Sequence, residues 1–155
     1  MDEEPDYSRI LDIIRNCDDC EKLTAFAQNA QKKKVQVVVE AARAQLKSLF
    51  PKSKAGSFEN QFWKMFSAYE DLLLDNQKPV RILNGTREEA LSSGEVSALA
   101  TWINEGHQSW ALQALVASKK NKQTAEKLAL NHSDLFDPKV LKIARERLEK
   151  AQGLL

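Results

Sequence analysis

Two cysteines three positions apart, in Cys17-Asp18-Asp19-Cys20, have the spacing that serves thiol chemistry or a metal ion, because two such sulfurs can converge on one atom. A structural zinc site, however, takes four ligands. The two histidines, His107 and His132, form neither an HxxxH pair nor a cluster with a cysteine. The carboxylates between the thiols repel a thiolate, which is the reverse of what a redox cysteine requires. Cys17 and Cys20 are therefore expected to be ordinary reduced thiols at a helix junction, with no metal and no cofactor.

Nucleophilic catalysis has little to build on. Both histidines fall at expected helix ends, where a histidine is usually a cap. There is no GxSxG elbow, HExxH pair, Walker loop or GxGxxG turn. A metal-dependent nuclease would bring carboxylates and a lysine together, often from strands, yet the sequence offers neither a convincing strand pair nor a Glu-x-Lys triplet. An enzyme assembled from scattered residues ranks third among the readings, and no small-molecule substrate is indicated.

Binding chemistry has more candidates. Lys32-Lys33-Lys34, Lys52, Lys54 and the group Lys119, Lys120 and Lys122 all lie at expected helix ends, where they can gather on one rim and attract phosphates. Residues Thr124 to Arg147 can be drawn as a helix-turn-helix whose second helix carries Lys139, Lys142, Arg145 and Lys150. Two points weigh against nucleic acid. Lysines at helix C-termini also complement the helix dipole, which accounts for the first and third clusters. The turn from Asn131 to Asp137 is longer than such motifs use, with Leu135-Phe136 expected as a buried wedge.

For a protein partner the residues to watch are Trp63, Trp102 and Trp110. Tryptophan is enriched at interface hot spots, although in a chain so rich in apolar stripes it more often serves the core. Trp102 and Trp110 are expected to be half exposed. The favoured function is thus a non-catalytic protein-interaction module of adaptor, inhibitor or immunity type, with nucleic-acid binding as the alternative.

Charge and length frame these choices. Residues 1 to 22 hold eight acids and three bases, and the remainder fourteen acids and twenty bases, so an acidic head precedes a basic body. Mixed charge on solvated helix faces produces the same numbers. No stretch approaches the ~20 apolar residues of a membrane span, and the acidic start is the wrong sign for a signal peptide, so a soluble cytoplasmic protein is expected. With 155 residues and only nine Gly and Pro, one helical domain is the default, with 1–50 and 57–155 as the alternative division.

The elements follow from apolar spacing. Tyr7, Ile10, Leu11 and Ile14 mark a first helix. Leu23, Phe26, Ala27 and Ala30 mark a second, entered through the carboxylates of Asp18 and Glu21. Val35 to Leu49 reads as a third, since Glu40-Ala41-Ala42-Arg43-Ala44 favours helix over the strand that Val35 to Val39 alone would suggest. After the linker 51–57, Phe58, Phe62, Met65, Phe66, Tyr69, Leu72 and Leu73 form the longest stripe, and Asn76 to Gly85 reads as a loop or short extended piece. Thr86 with Glu89, Gly94, Gly106, Thr124 and Asp137-Pro138 punctuate the remaining helices. A 102-residue offset aligns Ala27, Asn29, Val38, Ala42, Arg43 and Leu46 with Ala129, Asn131, Val140, Ala144, Arg145 and Leu148, through a duplicated hairpin or, more simply, through shared helix patterning. The expected fold is all-α: a compact bundle or short superhelical stack of about seven to nine helices in antiparallel hairpins.

Overall fold

A computed structural model describes residues 6–106, 109–117 and 124–153, with the backbone alone for Ser109 and Trp110. Among the described residues the fold is all-α: α1 (Ser8–Arg15), α2 (Cys20–Lys32), α3 (Gln36–Ser48), α4 (Phe58–Asp75), α5 (Asn84–Ser93), α6 (Glu95–Glu105), α7 (Ser109–Ala117), α8 (Ala125–Asn131) and α9 (Pro138–Gly153). None of these helices is long and apolar enough to cross a membrane. The chain divides into two compact units, one of residues 1–50 and 73–84, the other of residues 51–72 and 85–155.

In the first unit α2 and α3 form a hairpin and α1 packs on α3. The hairpin turn is a Schellman cap. Lys34 takes the left-handed conformation at φ 58°, Val35 N–H donates to Ala30 at 2.9 Å and Lys34 N–H donates to Gln31 at 3.1 Å, so the last carbonyls of α2 are satisfied. Leu23, Ala27 and Ala30 meet Val38, Val39, Ala42 and Leu46 as buried stripes at helical spacing. The return segment is a 3-10 turn, Val80–Leu83, rather than the loop or extended piece expected, and α5 starts directly from it at Asn84. Gln28 holds this segment with both ends of its amide, donating to Lys78 O at 3.1 Å and accepting from Val80 N–H at 3.4 Å. Asn84 and Gly85 are therefore helical, and the Thr86–Glu89 spacing caps nothing. Glu89 instead accepts from Ser97 and Thr101 on α6.

The acid that caps α2 is Asp19, not Asp18. Its carboxylate accepts from Glu21 N–H at 3.0 Å and Lys22 N–H at 3.2 Å. Asp19→Ala is expected to lower the stability of the first unit by about 1 kcal/mol, read from urea unfolding, while Asp18→Ala leaves it unchanged.

In the second unit the aromatic stripe of α4 is the centre of the core. Phe58, Phe62, Met65, Phe66 and Tyr69 are buried, and Trp63, beside the stripe, is buried edge-on against Phe62 and Phe66. Residues 58–72 of α4 belong to this unit and 73–75 to the first. The helices α6, α7 and α8 each pack on α9. Gly106 ends α6 in the left-handed conformation at φ 68°, Thr124 caps α8 by accepting from Lys127 N–H at 3.1 Å, and Asp137 accepts from Lys139 N–H at 3.2 Å at the start of α9. The 102-residue offset also separates the first residues of α3 and α9, Gln36 and Pro138.

Candidate functional site

Helix α3 is apolar along two flanks. Its buried stripe is Val38, Val39, Ala42 and Leu46. A second series, Val37, Ala41 and Ala44, recurs at i, i+4 and i+7 on the side away from α2. Beside α1 this second series forms the floor of an open groove of about 400 Å³, lined by Leu11, Arg15, Val37, Glu40, Ala41, Ala44 and Gln45. Two alanines are too small to fill the angle between the helices, and Val37 remains 46% exposed. Gln45 fixes one end of the groove by donating its amide to Cys17 O at 2.8 Å. The rim is polar and carries both signs. Arg15 lies 3.9 Å from Asp12, and Glu40 accepts from the Gln36 amide at 3.4 Å. The composition is that of a small interaction surface, an apolar floor inside a charged border.

The cysteines sit at the corner between α1 and α2. Both thiols are free and half-buried, and Cys17 Sγ lies 3.6 Å from Asp19 O. Among the described residues no group of three or more His, Cys, Asp or Glu is placed to hold a metal ion.

The lysine candidates divide. Lys119, Lys120 and Lys122, and with them the basic turn, lie outside the described residues. Lys139, Lys142 and Arg145 are exposed along the first half of α9, with Glu146 4.0 Å from Lys142. Lys139 stands in the first turn of α9, where the dipole opposes a cation, and Lys142 and Arg145 stand beyond it, so the account that covers lysines at helix C-termini covers none of the three. In the connection between α8 and α9 Phe136 is buried against Phe58, at 5.8 Å between ring centroids, whereas Leu135 is 41% exposed, so only one of the expected wedge pair is a wedge.

The tryptophans are core residues where their side chains are described. Trp63 is 4% exposed and Trp102 1%. Trp102 is not half exposed, because Ala98, Leu99, Trp102 and Ile103 share one buried flank of α6 and the indole meets the Tyr69 ring edge-on at 4.8 Å. A partner reaching either ring would have to open the unit. Trp110 lies in α7 and its side chain is outside the described residues.

What the spacing of apolar residues conceals is a set of buried charges in the second unit. Glu70 and Arg87 are both buried and paired, and the Arg87 guanidinium also lies 4.9 Å from the centre of the Phe66 ring. Glu126, in the first turn of α8, is fully buried, 3.1 Å from Arg147. Tyr69 Oη accepts from Ala125 N–H at 3.4 Å. Burial and, after it, the Glu126 carboxylate push the phenol far above its usual range. Burial also raises the Glu126 carboxyl, against the pull of Arg147 and of a backbone N–H. These groups are enclosed in the core of the unit.

The Glu126 shift has a sign that can be measured. A folded-state pKa above the ordinary value of 4.5 means that the folded chain binds more protons than the unfolded one from that value upward. Its contribution to stability is full below 4.5 and is lost as pH rises through the raised value. Glu126→Gln removes this titration, so the urea midpoint of the second unit is expected to fall less with pH above 4.5 in the variant than in the parent. Parallel profiles would contradict it.

Comparison with protein-family models, with curated proteins and with solved structures finds no match.

Proposed function

We propose that this chain is a non-catalytic protein-interaction module that docks its partner on the α1–α3 face of the first unit. The observation that carries the reading is the second apolar stripe of α3, Val37, Ala41 and Ala44, left open as the floor of a groove. A helix whose outward flank is apolar and small suits another helix laid along it, the mode in which anchors at i, i+4 and i+7 enter a groove. Trp63, Trp102 and the Glu70–Arg87 pair are buried, whereas this face is open to a partner.

A photo-reactive amino acid placed at Val37 should cross-link to a discrete product in native cell extract, and one placed at the exposed Ala25 of α2 should not. Equal labelling from both positions, or none from either, would remove the support for the reading.

Nucleic-acid binding is the second reading, and the specific observation favouring it is the exposed series Lys139, Lys142 and Arg145 along the first half of α9, of which Lys139 stands in the dipole-disfavoured first turn. If these residues contact phosphates, neutralising each should shallow the dependence of log K on log salt by about 0.9. No retardation of duplex or single strand at low salt would dispose of it.

A further inference from the structure

We draw no further inference here: the strongest candidate, the open groove between α1 and α3 floored by Val37, Ala41 and Ala44, carries nothing beyond the docking face already proposed, because nothing in the structure shows what covers it.

Discussion

Replacing Arg87 by Met is expected to destabilise the second unit by about 3–5 kcal/mol, among the largest effects of any single change in this chain. Arg87 is 3% exposed and Glu70 1%, so without the guanidinium the carboxylate stays in an apolar interior lacking its cation. The methionine stem preserves most of the packing beneath Phe66, which makes the loss chiefly electrostatic. Taking both charges away should behave differently. In Glu70→Leu with Arg87→Met neither partner of this pair is left unmatched, and most of the lost stability should return, since buried ion pairs contribute little over well-packed apolar substitutes. All three tryptophans belong to the second unit, so the urea dependence of tryptophan emission reports on it selectively. A single variant that unfolds with its parent would show that Glu70 and Arg87 are not interdependent.

Trp102→Ala should cost a similar amount, about 3–5 kcal/mol, by leaving a cavity where the largest fully buried side chain among the described residues stood. The indole packs against Tyr69, whose hydroxyl accepts from the backbone at the start of α8, so loosening the ring also disturbs that helix entry. The effect separates two roles for this tryptophan. A core residue loses stability on truncation, as expected here, whereas a docking residue loses binding and leaves the unfolding curve in place.

The helices were legible because one apolar residue per turn leaves few alternatives for the backbone. α2, α4 and α9 begin and end within a residue or two of their sequence signals, and Gly94, Gly106, Thr124 and Asp137-Pro138 stand at the boundaries they mark. Finer features depended on geometry that spacing does not contain. Adjacent Asp18 and Asp19 are equally good caps on paper, and only the backbone at the entry to α2 selects Asp19. The 3-10 turn at Val80–Leu83 is held by the distant Gln28, which no local pattern announces.

The candidate groove was harder still to see. Alanine at 41 and 44 counts in a sequence as a helix former, and its surface role appears only once α1 lies alongside. Glu70 and Glu126 were hidden for a related reason. A charged residue reads as solvated, yet the apolar arc of α4 is wide enough to enclose position 70, four residues after Phe66, and the first turn of α8 is sealed over position 126. Long-range packing decides such positions, and it leaves no local mark.

The most direct measurement replaces Val37 and Ala44 together by Glu and follows stability and capture in the same preparation. Both positions are exposed on a helix, where such changes are nearly neutral, so the unfolding midpoint should stay within about 0.5 kcal/mol of the parent. Photo-cross-linking from position 41, on the groove floor, should disappear. Undiminished cross-linking from a groove carrying two added charges would contradict the assignment of this face as the working surface of the protein.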